Sequence, residues 1–214
     1  MLRLLIMGTP GAGKGTQAKL LADRFGACHI STGDVLREAV RGGSKLGPEA
    51  KRYMDKGLLV PDAVVIGIVA ERLDAADCAA GFLLDGFPRT VAQAEALDAL
   101  LARRGQPLGG VLLIAVPRED ALRRLAGRRV CEKCAAMFHL TFEPPSQKGR
   151  CDRCGGRLMQ RADDREETIR HRMEVYLRET QPVLEHYRKA GILREIDGTG
   201  SREDVFGRVA ASVE

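Results

Sequence analysis

Three groups of residues in this chain have the types and spacing to do chemistry. The first is Gly8-Thr9-Pro10-Gly11-Ala12-Gly13-Lys14-Gly15-Thr16. Glycines let a backbone turn tightly and bring its N–H groups up to an anion. Lys14 adds a mobile point charge for outer phosphates. The general phosphate-loop pattern puts Ser or Thr directly after the lysine, where its hydroxyl meets Mg²⁺. Here Gly15 holds that place and Thr16 follows it. The second group is Cys131-Glu132-Lys133-Cys134 with Cys151-Asp152-Arg153-Cys154, two CxxC pairs 16 residues apart. Each pair can place two thiolates on one metal through a tight turn. Four sulfurs complete a tetrahedral Zn²⁺ site with no open position, hence a structural one. Gly155-Gly156 supports a tight second knuckle, and four cysteines leave His139 no vacancy. The third group is Leu83-Leu84-Asp85-Gly86-Phe87-Pro88-Arg89-Thr90, an apolar run ending in a carboxylate with an arginine close behind. Such an aspartate can hold Mg²⁺ directly or through its water shell. Further arginines recur at Arg37, Arg128, Arg129, Arg161 and Arg172. Phosphoryl transfer needs cations around the moving group and exclusion of water, and little covalent chemistry.

These groups need elements to position them. Leu2 to Met7 predicts a buried strand before the loop, and Gln17 to Phe25 a helix after it. Cys28-His29-Ile30 predicts a second strand. Ser31 caps a helix with Asp34 three residues on, and Arg41-Gly42-Gly43-Ser44 breaks it. A short helix from about Pro48 to Asp55 stops at Gly57. Pro61-Asp62 opens another, with Val64, Val65, Ile68, Val69 and Leu73 on its apolar face. Gly81 to Asp85 and Val111 to Val116 predict strands. Thr90 and Gln93 have capping-box spacing for a helix to about Arg104. Pro117 begins a helix to about Ala126. From Asp163 a long helical pattern divides near Pro182, Ile192 to Ile196 predicts a last strand, and Ser201 caps a closing helix. Apolar strands alternating with helices imply an α/β fold: a parallel sheet with helices on both faces. Ligands of such sheets bind beyond the carboxyl ends of the strands, where Gly8 and Asp85 lie.

A hydrophobic content of 44% supports a real core, and 4% aromatics with no Trp makes that core aliphatic. At 214 residues the chain is one sizeable domain with room for inserted subdomains. Its 34 basic against 29 acidic residues suit a polyphosphate or a nucleic acid equally. No apolar run has membrane-spanning length, and the first apolar stretch ends at Gly8, too early for a signal peptide. The expectation is a cytoplasmic protein with its six cysteines as thiols or metal ligands. Cys28 and Cys78, in or beside apolar segments, are expected to be plain buried thiols.

Gly8 to Thr16, Ser31-Thr32-Gly33-Asp34-Val35-Leu36-Arg37, Asp85 to Thr90, Gly127-Arg128-Arg129 and Arg161-Ala162-Asp163-Asp164 occur in order over nearly the whole chain. This succession resembles the signatures of adenylate kinases, P-loop nucleoside monophosphate kinases, and the second excursion resembles their long, zinc-binding lid. The Gly15-Thr16 departure is one the family itself shows. The resemblance implies reversible, Mg²⁺-dependent transfer of the ATP γ-phosphoryl to AMP, giving two ADP. It implies that Pro10, Gly11, Ala12, Gly13, Lys14, Gly15 and Thr16 cradle ATP phosphates. Arg124, Arg128, Met137 and Phe138 would also serve ATP, and Gly200 would offer a backbone contact only. Thr32, Arg37, Leu58, Leu59, Val60, Gly86, Phe87, Pro88, Arg89 and Gln93 would hold AMP. Gln93 could read an adenine edge with its amide, and its capping position offers a structural alternative. Arg161 and Arg172 would bind AMP and the transferring group, and Lys14, Asp85, Arg89, Arg128, Arg161 and Arg172 would form the catalytic set. The resemblance also implies a core of residues 1–30, 61–127 and 162–214, an AMP-binding subdomain at 31–60 and a lid at 128–161, both closing on substrate. A monomer acting on ATP, AMP and ADP, without nucleic acid or membrane, is expected. Two alternatives stand beside it: a kinase of another monophosphate or with GTP as donor, and a zinc-ribbon nucleic-acid-binding protein. Scarce aromatics for base stacking count against the second.

Overall fold

The computed structural model describes residues 1–42 and 47–213. β1 (Leu2–Met7) feeds the glycine loop and α1 (Lys14–Phe25). β2 (Cys28–Ser31) leads into α2 (Thr32–Arg41) and α3 (Gly47–Met54). α4 (Asp62–Leu73) and a 3-10 turn (Ala76–Cys78) precede β3 (Gly81–Asp85). α5 (Val91–Arg103), β4 (Gly110–Ala115) and α6 (Arg118–Gly127) follow. Three short strands come next: β5 (Arg128–Cys131), β6 (Met137–His139) and β7 (Leu158–Met159). A second 3-10 turn (Ala162–Asp164), α7 (Glu166–Val175), α8 (Gln181–Lys189), β8 (Leu193–Asp197) and α9 (Arg202–Ala211) complete the chain. Among the described residues no helix is long and apolar enough to cross a membrane.

Five strands form one parallel sheet in the order β2-β3-β1-β4-β8. Its pleat sends alternate side chains to opposite faces, so neighbouring residues join different cores. Leu5, Met7, Phe82 and Leu84 pack with Val65 and Val69 of α4, Leu97 and Leu101 of α5, and Val183 and Tyr187 of α8. Leu4, Ile6, Leu83 and Leu112 pack with Ala18 and Leu21 of α1 and Val205 and Val209 of α9. Helices cover both faces of the central strands β3, β1 and β4, which is why these carry nearly unbroken aliphatic runs, while the edge strands β2 and β8 mix in polar residues. The register sets Ser31 opposite Asp85 and Ile6 opposite Asp85, so β2, β3 and β1 end together.

The helix starts follow their caps. Ser31 Oγ accepts from Asp34 N–H, Thr90 Oγ1 from Gln93 N–H, and Ser201 with Asp204 forms a full capping box. The expected break after α2 begins at Gly42; Gly43 and Ser44 lie outside the described residues. The long C-terminal pattern divides earlier than at Pro182. A π-helical turn, Tyr176–Thr180, separates α7 from α8, with the Gln181 N–H reaching back to Tyr176 O. Pro182 has no N–H to give, so the wider turn falls just ahead of it.

One expectation is corrected. Cys28 and Cys78 are not free thiols but joined as a disulfide. β2 pairs with β3 from Cys28 opposite Phe82, and the turn before β3 folds Cys78 back over the start of β2. Their Cα atoms are 4.9 Å apart, within the span of a disulfide. Cysteines 50 residues apart in sequence give no hint of this.

β5, β6 and β7 form a separate antiparallel sheet in the order β6-β5-β7. Its core is small: Cys131, Ala136, Cys151 and Leu158, with Phe138 packed against them.

Candidate active site and metal centre

The glycine loop joins β1 to α1 at the carboxyl edge of the sheet. Gly11 has φ +85°, and a Cβ there would lie 2.3 Å from the Ala121 carbonyl of α6, so no other residue fits. Lys14 opens α1 and folds back over the loop, its Nζ donating to Gly8 O and Thr9 O at 2.8 Å each. A Cβ on Gly15 would lie 3.2 Å from Asp85 Oδ2. The residue after the lysine thus faces the β3 carboxylate, and any larger side chain there would press on it. Arg124 lies across the loop, donating to Ala12 O at 3.2 Å and Gly198 O at 3.0 Å. Gly200, in the same turn as Gly198, has φ +96°.

Beside the loop is a cleft lined by Lys14, Thr32, Arg37, Leu58, Leu59, Val60, Gly86, Phe87, Pro88, Arg89, Gln93 and Arg172. The structure therefore brings together the residues assigned to AMP, apart from Arg161. The cleft adds Leu36, Met54, Gly57, Val65, Asp163, Val175, Tyr176 and Thr180, none of which the sequence alone assigned to a ligand.

The charges of this region form one interacting set. Lys14, Arg37, Arg89, Arg128, Arg161 and Arg172 stand within electrostatic reach of one another, with Asp34, Asp85, Asp163 and Asp164 among them. That is six cations against four carboxylates. The cations respond accordingly. Burial pushes Lys14 down to about 7, with Arg89, Arg172 and Arg128 adding to the fall against the pull of Asp85. Burial and then Arg172 push Arg89 down to about 10. Burial, then Arg37 and Arg128, push Arg161 down to about 9. A cluster of half-buried cations in surplus is a site shaped for a polyanion. Arg161 Nε is buried without a hydrogen-bond partner among the described residues, and an anion would satisfy it.

Some of these arginines are held by the protein. Asp164, wholly buried, accepts Arg128 Nε at 2.7 Å and Nη2 at 2.5 Å, and Arg172 Nη1 at 3.1 Å. These bonds raise Arg128 despite its burial. Arg172 also donates to Asp163 O at 2.8 Å. Arg89 Nε donates to Gly86 O at 2.7 Å, and Thr180 Oγ1 donates to Arg89 O at 3.0 Å. Arg37 pairs with Asp34 at 2.6 Å. Thr32, buried at the start of α2, donates to Gly86 O at 2.9 Å. Met137 is exposed on β6, its sulfur 3.7 Å from Arg161 Nη2, while Phe138 packs on the small core.

Gln93 is committed at both ends of its amide. Its Oε1 accepts the Arg89 backbone N–H at 2.7 Å, and its Nε2 donates to Asp62 Oδ1 at 2.7 Å. It does not complete a capping box; Thr90 Oγ1 caps the helix and also donates to Asp62 Oδ2 at 2.8 Å.

The four paired cysteines converge. The sulfurs of Cys131, Cys134, Cys151 and Cys154 all lie within 4.8 Å of one another, with Cys131 to Cys154 at 3.4 Å and Cys134 to Cys151 at 3.5 Å. A tetrahedron of Zn–S bonds of about 2.3 Å places its sulfurs roughly 3.8 Å apart, so the set fits such an ion. The two knuckles match. Ala135 N–H returns to Cys131 O and Gly155 N–H to Cys151 O, and Ala135 and Gly155 share positive φ of 57° and 68°. Gly156 has no room for a Cβ, which would lie 2.8 Å from Cys131 Sγ. The Cys134 N–H pulls the Cys131 thiol down to about 7. Cys154, although the Gly156 N–H acts the other way, is pushed up to about 12 by the neighbouring Cys134 and Cys131 sulfurs.

Comparison with known proteins follows the same lines. A sequence profile described as adenylate kinase matches residues 6–192. A protein named adenylate kinase from Thermodesulfovibrio yellowstonii is 53% identical, over 100% of this chain and 99% of its own. One of the same name from Carboxydothermus hydrogenoformans is 54% identical over 100% of both chains. One from Archaeoglobus fulgidus is 52% identical over 100% of this chain and 98% of its own.

Proposed function

The chain belongs to the adenylate kinase family, and from that premise we infer how its residues perform phosphoryl transfer between ATP and AMP to give two ADP, reversibly. The observation that carries the reading is the surplus of half-buried cations around one cleft at the carboxyl edge of the sheet. The loop from Pro10 to Thr16 holds the ATP phosphates, with Lys14 leaving its carbonyls for the outer ones. Arg124 lies over the donor side, with Met137, Phe138 and the Gly200 backbone. Thr32, Arg37, Leu58, Leu59, Val60, Gly86, Phe87, Pro88, Arg89 and Gln93 hold AMP. Arg89, Arg128, Arg161 and Arg172 surround the moving group from both sides and stabilise its equatorial charge.

Asp85 is an oxygen donor whose carboxylate takes no hydrogen bond among the described residues; the His29 ring stands 3.8 Å from it, at Nε2. That environment fits a hard cation. Asp85 would hold Mg²⁺, which when bound neutralises charge on the donor phosphates. Residues 31–60 and 128–161 are the subdomains that close over the substrates, because water is a competing acceptor. The site is complete within one chain, which supports a monomer. Substrates drawn from the free nucleotide pool support a cytoplasmic location, with neither nucleic acid nor membrane as partner.

The test is a coupled assay with a panel of monophosphates and with ATP or GTP as donor. AMP with ATP is expected to exceed every other pair by at least about a hundredfold in kcat/KM. Preference for another monophosphate would overturn the acceptor assignment.

Cys131, Cys134, Cys151 and Cys154 hold one structural Zn²⁺. The small core beneath them cannot stabilise residues 128–161 alone, and the ligands converge only when that segment is folded. Metal analysis is expected to give one zinc per chain. Cys151→Ser loses it and lowers the melting temperature by roughly 5–15 °C. Activity stays measurable below the new transition, since a closed four-sulfur site has no position for phosphate. Activity lost from folded, metal-free protein would make the ion part of the chemistry.

A further inference from the structure

We propose that Asp62 is a positioning residue for acceptor specificity: its carboxylate locks the Gln93 amide in the orientation that accepts a 6-amino purine and refuses a 6-oxo purine. The inference rests on the reading that Gln93 meets the acceptor base.

The two ends of a glutamine amide look alike in shape and differ only in what they can bond. Here both partners are chemically one-sided. The Arg89 N–H can only donate, so the atom 2.7 Å from it is the oxygen. The Asp62 carboxylate can only accept, so the atom 2.7 Å from it is the NH₂. Asp62 is itself fixed, its other oxygen taking the Thr90 hydroxyl at 2.8 Å. Gln93 is 1% exposed and lines the cleft. One lone pair of Oε1 and one hydrogen of Nε2 remain for a ligand.

An adenine edge offers a 6-amino donor beside the N1 acceptor. Hypoxanthine and guanine offer a 6-oxo acceptor beside an N1–H donor, the reverse pattern. A glutamine free to flip would serve both. A flip here would set Oε1 against a carboxylate and NH₂ against an N–H, leaving repulsion on one side and an unpaired donor on the other. A site built to pair one pattern rejects its reverse far more strongly than it rejects a change of size. Asp62 supplies the charged half of that lock. It does not line the cleft itself, and by sequence it looks only like the first residue of a helix after Pro61.

The experiment is the ratio of kcat/KM for AMP to that for IMP. Both are measured on the same sample, so an inactive or unfolded fraction cancels. An asparagine can pair with either end of a glutamine amide, so Asp62→Asn permits the flip. It is expected to lower the ratio by about ten- to a hundredfold. Asp62→Ala should do the same, and Thr90→Val should move the ratio in the same direction by less. A merely structural Asp62 would slow both acceptors together; a ratio within about twofold of the parent for both Asp62 variants overturns the proposal. Gln93→Leu separates the two levels. If it collapses the ratio while the Asp62 variants do not, the lock is wrong and the reading of Gln93 stands. If it leaves the ratio unmoved, Gln93 does not read the base, and the proposal falls with it.

Discussion

Lys14→Met is expected to lower turnover by about a thousandfold or more, with the fold intact. Lys14 is the one cation of the cluster on the loop itself, and its ammonium rests on two backbone carbonyls, Gly8 O and Thr9 O. Near-normal turnover in the folded variant would remove it from the mechanism. Its titration supplies a second readout. Burial and neighbouring arginines set Lys14 at about 7 in the folded protein, against 10.5 unperturbed. Between those values the unfolded chain binds the proton and the native chain does not. Lys14 therefore lowers stability as pH falls from 10.5 to about 7, and adds no further change below that. The methionine variant should melt at or slightly above the parent near neutrality. Phosphates entering the site restore the charged form. Near pH 8, ATP binding should take up close to one proton, fading below about pH 6. Calorimetry in buffers of different ionisation enthalpy measures this, and the uptake should vanish with Lys14→Met.

Arg89→Ala and Arg128→Ala are expected to lower kcat by about a hundred- to a thousandfold each, with smaller effects on substrate binding. The two stand on different elements, Arg89 in the turn after β3 and Arg128 at the first residue of β5. Their effects on stability should differ. Arg128 is bound by buried Asp164, and its loss leaves that carboxylate with Arg172 alone, at a cost of about 3 kcal/mol. The Arg89 side chain is held by one backbone carbonyl, Gly86 O, and lies in a crowd of like charges, so its removal should cost little. A variant that raises KM alone would mark its residue as a ground-state binder.

The order of strands and helices was legible because the three central strands, β3, β1 and β4, are covered on both faces and carry nearly unbroken aliphatic runs. The glycine loop and the cysteine pairs were legible for a related reason. Their chemistry depends on neighbours in sequence, and short spacing limits the geometry each loop or pair can adopt. What stayed hidden was contact between distant segments. Asp164 stood in a recognised stretch, but nothing nearby in sequence announced that it grips Arg128, 36 residues away. The Asp62–Gln93 pair spans 31 residues, and the Cys28–Cys78 bond 50. Tyr176 and Thr180 belong to an unbroken helical pattern. Only the π-helical turn there, a feature of backbone geometry rather than residue type, shows why Thr180 can reach the carbonyl of Arg89.

The anchoring of the arginines has a consequence for the catalytic cycle. A free arginine side chain gives up about 2 kcal/mol of rotamer entropy when it is immobilised. Arg124 is pinned by two carbonyls, Arg128 and Arg172 by Asp164, and Arg89 by Gly86. These side chains surrender that freedom once, when the chain folds, and not again each time a nucleotide arrives. More of the attraction between guanidinium and phosphate is then left to act on the reacting group. Arg161, whose Nε has no hydrogen-bond partner among the described residues and whose Nη2 meets only the Met137 sulfur, is the most weakly anchored of these arginines.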